Sequence, residues 1–374
     1  MSLITYLTEI EFGAGSISEL GKYLDRFGVQ RPLVISDHGI KAAGLLDKVV
    51  RQLKAEAPVF LDVPTNPTEA ATVAAVEVYV ANNCDGLVAI GGGSPIDLAK
   101  GVALLATHGG SLAKYALIED GMQAITGKVA PVIAIPTTAG TGAEVGRAAL
   151  ITLEDGRKLG FVSTYLIPKC AICDPMLTLG LPQWLTAATA LDALSHCFET
   201  YLSPRYNPPA EAIALDGAAR IWNNIVTAYE DGTNLDARTE LMMGSLQGGL
   251  TFQKGLGAIH ALSHALGGLR ELQLHHGTLN AIFLPSVMQI NRDAVPEKIR
   301  CIETALKIQE GGLPTALADL NTQLGIPKGL RSLGVRESHF DYIVERAIAD
   351  HSHVTNPLQL TADQYRQLIK ENMI

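Results

Sequence analysis

The most constraining stretch of this 374-residue chain is residues 86–100, GLVAIGGGSPIDLAK, where a continuously apolar run passes directly into three glycines and then a helical pattern. A run apolar on consecutive positions is covered on both faces, as in a parallel sheet with helical crossovers. Three glycines let the backbone approach a ligand, Ser94 can cap, Pro95 suits a first helical turn, and the next amides point beyond the helix N-terminus. Proteins hold a diphosphate in this way. The stretch is not the G-x-G-x-x-G fingerprint, and no GxxxxGK[ST] is present, which disfavours an ATPase. The same turn also serves as a plain strand-to-helix connection.

Further candidate strands at residues 32–36, 59–63, 132–135 and 170–173 alternate with helix-like segments such as 68–82. The expected fold class is therefore α/β, with a Rossmann-like parallel sheet in the first half. A second loop, PTTAGTGAE at residues 136–144, sets the hydroxyls of Thr137, Thr138 and Thr141 on a turn otherwise made of small residues. Two such loops at the carboxyl ends of parallel strands fall where open α/β sheets bind ligands. Asp37 follows the first of these strands, where a carboxylate accepts from an adenine-ribose 2′-OH and repels a 2′-phosphate, favouring NAD over NADP. It also fits an ordinary turn.

After Pro182 the texture becomes Ala/Leu-rich at helical spacing, as in 186–201, 209–230 and 238–250, with almost no strand-like runs. This divides the chain into an α/β domain over residues 1–182 and an all-helical domain over 183–374. The balance of 29 basic against 38 acidic side chains, net −9, argues against nucleic-acid or anionic-membrane partners. The uncharged stretch 129–143 is short and carries Pro131 and Pro136, so it does not read as a membrane span. With Glu9 and Glu11 near the start and no basic leader, the expected compartment is the cytoplasm. Five cysteines make no disulfide framework, and Cys170 and Cys173 read as buried thiols in a strand.

Four of the ten histidines fall within residues 260–276. His260 and His264 stand at i, i+4 on one helix face; Asp192 and His196 do the same on another helix. A single such pair reads as a hydrogen-bonded core pair, but two pairs and a third cluster, His275 and His276, form the pattern with which helical bundles build metal sites. One carboxylate with imidazoles suits Fe²⁺ or Zn²⁺ rather than Mg²⁺ or Ca²⁺.

These residues together resemble the iron-containing (group III) alcohol dehydrogenases. FGAG, GGGSPIDLAK, PTTAGTGAEV, DALSHCFETYLSP, HALSHALGG and HHGTLNAIFLP occur in the family's order across nearly the whole chain. The resemblance implies a dinucleotide-binding domain followed by a helical metal-binding domain, with the active site in the cleft between them. It implies metal ligation by Asp192, His196, His260 and His276, and a place beside the nicotinamide for His264, a candidate for proton transfer. It also implies NAD contacts at Asp37, Asn66, Gly92, Gly93, Ser94, Asp97, Thr137 and Thr138, with Lys158 near the nicotinamide ribose. The implied reaction is reversible hydride transfer between a small alcohol and NAD, with Fe²⁺ ahead of Zn²⁺ as the metal, in a homo-oligomer.

The chain departs from the family pattern at Ala143, Gly146 and Arg147, at Lys254, and at His275, which stands where a proline is usual. From Arg147, Lys254 and His275 we expect a cationic pocket that favours an aldehyde carrying an anionic group; solvated surface charge is the plainer reading. Two other functions stay open at this point. One is a lyase of the dehydroquinate-synthase type, which couples NAD to a divalent metal in a similar fold. The other is a nucleotide-binding protein without catalysis.

Overall fold

The computed structural model describes Ile4, Tyr6 and residues 8–374. Eight strands form among them: β1 (Glu9–Phe12), β2 (Pro32–Ile35), β3 (Val59–Phe60), β4 (Gly86–Gly91), β5 (Val132–Pro136), β6 (Ala148–Thr152), β7 (Lys158–Val162) and β8 (Cys170–Cys173). Six of them make one parallel sheet in the order β1-β8-β5-β4-β2-β3, and β6 pairs antiparallel with β7 in a separate ribbon. The helices accompanying them are α1 (Leu20–Arg26), α2 (His38–Ala42), α3 (Leu45–Val50), α4 (Glu69–Ala81) and α5 (Gly93–His108).

The sheet is buried on both sides because successive side chains of its apolar strands enter different cores. Leu33, Ile35, Leu87, Ala89 and Ala134 join one cluster, while Val34, Val88, Ile90, Ile133 and Ile135 join the other. Cys170 and Cys173 lie fully buried in β8, and burial pushes the Cys170 thiol up to about 12 and Cys173 well above its ordinary value. This agrees with two inert thiols in a strand.

The sheet differs from expectation at its margins. The run at 59–63 is regular only over Val59–Phe60, since this edge strand has a partner on one side alone. Three further strands lack the continuously apolar run of the buried ones. β1 is EIEF at the opposite edge, and β6 and β7 are half-buried by alternation.

A buried cation organises the turn after β5. Lys100, fully buried on α5, spends its three N–H donors on the carbonyls of Ala143, Gly146 and Ala148 at 2.7, 2.9 and 2.8 Å. Asp97 lies 3.8 Å from its Nζ and accepts from the Leu150 amide at 3.1 Å, tying the β6 strand to the same helix. Burial lowers the Lys100 pKa, raises that of Asp97 and pushes Glu144 up to about 7, so each charge depends on its neighbours.

The second half is helical: α6 (Gln183–Leu202), α7 (Pro208–Glu230), α8 (Leu235–Leu250), α9 (Ala258–Gly267), α10 (His276–Asn291), α11 (Pro296–Leu306), α12 (Leu313–Gln323), α13 (Phe340–Ala349) and α14 (Ala362–Glu371). Asn207 and Asn234 cap α7 and α8 by accepting from the amides of Ala210 and Ala237 at 3.2 and 3.0 Å. Every residue of α6 from Thr186 to Leu202 is buried. Glycine permits this density: a Cβ on Gly244 would stand 2.6 Å from Ile221 Cγ1 and 2.8 Å from the Gly217 carbonyl. No described helix is long and apolar enough to cross a membrane.

The chain divides into two compact units. The helical unit comprises Ala139–Thr141 and Gly180–Ile374, and the α/β unit ends at Leu179. The excursion of Ala139–Thr141 has a local cause: Gly140 sits so close to α6 that a Cβ there would meet Thr189 Cβ at 2.8 Å.

Replacing Lys100 by Met strips three carbonyls and two carboxylates of their shared partner. We expect a loss of about 3–5 kcal/mol in chemical denaturation followed by circular dichroism. A denaturation midpoint equal to that of the native protein would show that the turn holds its shape without the clamp.

Candidate metal centre

Three helices bring four donor side chains to one point. Asp192 and His196 lie one turn apart on α6, His260 lies in the first turn of α9, and His276 is the first residue of α10. The Nε2 atoms of His196, His260 and His276 stand 3.4, 3.7 and 3.6 Å from Asp192 Oδ1. Four ligands at metal bonds of about 2.1 Å in a tetrahedron are separated by about 3.4 Å, so this spacing fits a first-row divalent ion. Donor atoms of Asp192, His196 and His260 all fall within 4.8 Å of one another; His276 joins them through its contact with Asp192 and is the more open, at 35% side-chain exposure.

The charges agree with the geometry. Burial works against the Asp192 carboxylate, yet His196, His276 and His260 outweigh it and hold the group far below the usual carboxylate range. Burial brings His196 down to about 4, leaving a neutral imidazole with a lone pair to give. Burial opposes charge on His260 too, but Glu199 and Asp192 overcome it and push that imidazole up to about 9, so a divalent ion bound here would take the place of its Nε2 proton.

Three supporting residues escaped the reading of the sequence. Glu199, 2% exposed, accepts from His260 Nδ1 at 2.6 Å. Asp350 accepts from His264 Nδ1 at 2.9 Å, and the His264 ring stacks on that of His276 at 5.5 Å. The Asn280 amide nitrogen lies 2.6 Å from Asp192 Oδ1 and 3.2 Å from Nε2 of both His260 and His276. Its partial positive charge is drawn to the point on which the lone pairs converge, while its own Oδ1 is buried without a partner. A cation there satisfies those lone pairs more fully than an amide does. Helical spacing carries the signal for two of these residues: Glu199 is seven positions after Asp192, and Asn280 four after His276.

The α/β unit holds the other expected site residues. Gly91 leaves β4 at φ 148°, Gly92 is the N-cap of α5, and no side chain caps that helix. The amides at Gly93 and Ser94 therefore meet no side-chain cap, the condition in which a helix start can receive an anion. The expectation that Ser94 caps is corrected, because its hydroxyl donates to the Thr65 carbonyl. Thr137 is buried with its Oγ1 unpartnered, and Thr138 Oγ1 comes within 3.4 Å of where a Cβ on Gly92 would lie. Lys158 donates to Asn66 Oδ1 at 2.9 Å, joining two of the expected contacts. Asp37 caps α2 by accepting from Ile40 at 2.9 Å, so its turn role is present alongside any ligand role. Asp97 is largely committed to Lys100 and Leu150.

The expected cationic pocket finds little support. Lys254 is 1% exposed and paired with Glu211 at 2.5 Å, and burial pushes its amine down to about 8. His275 caps α10, its ring meets Trp184 edge-on at 5.4 Å, and burial lowers its pKa, so it is neutral. The cleft of about 480 Å³ beside it is lined among the described residues by no Arg, Lys, Asp or Glu. Arg147 lies in the α/β unit and is partnered.

Comparison with known proteins gives a consistent picture. The profile "Iron-containing alcohol dehydrogenase" matches residues 8–175, and "Fe-containing alcohol dehydrogenase family, C-terminal" matches residues 186–373. The chain is 49% identical to 4-hydroxybutyrate dehydrogenase of Cupriavidus necator, with 100% of both chains covered. It is 36% identical to 1,3-propanediol dehydrogenase of Citrobacter freundii over 96% of each. Among solved structures, 1,3-propanediol oxidoreductase superposes with a TM-score of 0.94 at 34% identity, over 99% of this chain and 100% of that one. Sulfoacetaldehyde reductase from Bifidobacterium kashiwanohense, in complex with NAD⁺, gives 0.91 at 26% identity over 100% and 99%.

If Asp192 is the charged member of the ligand set, Asp192→Ala leaves three neutral imidazoles. Metal analysis by mass spectrometry should then find about one Fe²⁺ or Zn²⁺ per native chain and less than about a tenth of that in the variant. Equal metal content in both would place the ion elsewhere.

Proposed function

The chain belongs to the iron-containing alcohol dehydrogenase family and is a metal-dependent, NAD-linked oxidoreductase acting on CH–OH groups; on that premise we propose that its substrate is a short ω-hydroxy carboxylate, interconverted with the corresponding semialdehyde. The observation carrying this reading is the 49% identity, end to end, with a 4-hydroxybutyrate dehydrogenase, against 36% with a dehydrogenase of an uncharged diol. Lys254 and His275 do not contribute to it, being neutralised or neutral.

In this reading Asp192, His196, His260 and His276 hold the metal, Fe²⁺ first and Zn²⁺ second. When bound, the metal acts as a Lewis acid on the substrate oxygen and NAD accepts the hydride. The protein supplies position and proton handling. Asp350 fixes the proton of His264 on Nδ1, so Nε2 is the atom that takes a proton from the alcohol side and returns it in the reverse direction. Gly92, Gly93 and Ser94 receive the diphosphate on the α5 N-terminus, and Thr137 and Thr138 offer hydroxyls beside it. Asp37 selects NAD through a ribose 2′-OH, and Asn66, Lys158 and Asp97 shape the wall towards the nicotinamide ribose. Net charge −9 supports a small-molecule enzyme rather than one acting on nucleic acid or membrane, and the scarcity of charged residues, 18%, supports a homo-oligomer; a cytoplasmic location belongs to the same proposal.

Steady-state NADH assays with 4-hydroxybutyrate and 1-butanol, and with succinate semialdehyde and butanal, test the substrate. A recognised carboxylate contributes about 1.5–3 kcal/mol through charged hydrogen bonds, so kcat/KM should favour the acid in each pair by roughly 10- to 100-fold. Equal values within each pair would return the enzyme to the uncharged alcohols.

A further inference from the structure

Glu199 touches none of the expected dinucleotide contacts, yet it is 2% exposed and each of its carboxylate oxygens accepts a short hydrogen bond. Oε2 accepts from His260 Nδ1 at 2.6 Å, and Oε1 accepts from the Ile259 amide at 2.6 Å. The two donors belong to adjacent residues at the start of α9. That helix begins at Gly257, which supplies no cap of its own. Its first amides are instead met from afar, Ile259 by Glu199 and Ala258 by Asn356 Oδ1 at 3.1 Å. Gly257 is what admits both partners, because a Cβ there would stand 2.9 Å from Glu199 Oε1 and 2.7 Å from Asn356 Oδ1.

Resting on the metal reading above, we propose that Glu199 is a positioning residue for the metal, holding His260 in the Nδ1–H tautomer with Nε2 turned to the ion. Asp192, His196 and Glu199 sit at i, i+4 and i+7 on α6, so one helix face carries two direct donors and the support of a third. The bond to Nδ1 fixes the ring and makes Nε2 a stronger donor, as carboxylate–histidine–metal arrangements do. It also changes the charge of the centre: with a divalent ion, Asp192 and Glu199 together bring the sum to zero. The helix N-terminus at α9 compensates the negative charge that α6 places there. A carboxylate is required because both oxygens must accept. In glutamine only one oxygen accepts, and its NH₂ would face a donor nitrogen at 2.6 Å.

The test uses the full-length chain and Zn²⁺ alone, titrated against a chromophoric chelator, with thermal unfolding of the metal-free protein measured in parallel. Glu199→Gln should weaken Zn²⁺ binding 10- to 100-fold. Asn356→Ala removes a cap from the same helix without touching His260; it should lower the melting temperature and leave the Zn²⁺ dissociation constant within about threefold. Zn²⁺ binding by Glu199→Gln as tight as that of the native chain overturns the inference, as does an equal loss in both variants, which would make helix capping the whole effect. Nitrogen-15 spectra of histidine-labelled native protein need no variant to fold: an Nδ1–H, Nε2-ligated His260 supports the inference, and the opposite tautomer overturns it. Failure of the native chain to bind Zn²⁺ stoichiometrically would instead sink the metal reading itself.

Discussion

One carboxylate oxygen gathers the helical unit. Asp192 Oδ1 lies within 3.7 Å of three imidazole nitrogens and 2.6 Å from the Asn280 amide, and those partners arrive on α6, α9 and α10. An unpaired charge buried at this depth costs several kcal/mol, so the three helices must meet with their polar atoms matched or not meet at all. The small side chains follow from this demand. Gly217 and Gly244 let α7 and α8 close on each other, and Gly248 of α8 comes so near α6 that a Cβ would stand 3.1 Å from His196 Cβ. The scarcity of aromatic residues, 5% of the chain, belongs with such close backbone approach.

The α/β unit solves a similar problem with the opposite sign. Lys100 is a buried cation whose three donors meet three carbonyls of one turn, and Asp97 and Glu144 supply the countercharge. Both units thus bury a charge among partners that arrive from separate segments of the chain. In the same unit the Thr137 hydroxyl and the uncapped start of α5 carry no such commitment.

Much of this is legible in the chain because period and chemistry agree. Strands β2, β4, β5 and β8 read as continuous apolar runs since both of their faces are covered, and the Asp192–His196 pair reads as part of a site only because the His260–His264 pair and a third histidine cluster accompany it. Where two demands compete, the reading runs out. β1 is an edge strand whose Glu9 and Glu11 serve Arg26 and Tyr23, so its pattern is that of a surface. Lys254 looks like a pocket cation, yet Glu211 lies 43 positions away and no local pattern reveals the pair. Glu199, Asn280 and Asp350 are ordinary polar residues until the rings they orient are in place.

The remote capping of α9 bears on the order in which the helical unit can form. A ten-residue helix holds little stability alone, and the donors at the start of this one are met by residues on α6 and near the chain's end. Ile259 and Glu199 stand 60 positions apart in the chain, and Ala258 and Asn356 stand 98 apart. Each cap therefore closes a long loop, so α9 gains its start only once distant parts of the helical unit have come together. The orientation of His260 is thus set by tertiary packing and not by the sequence around it.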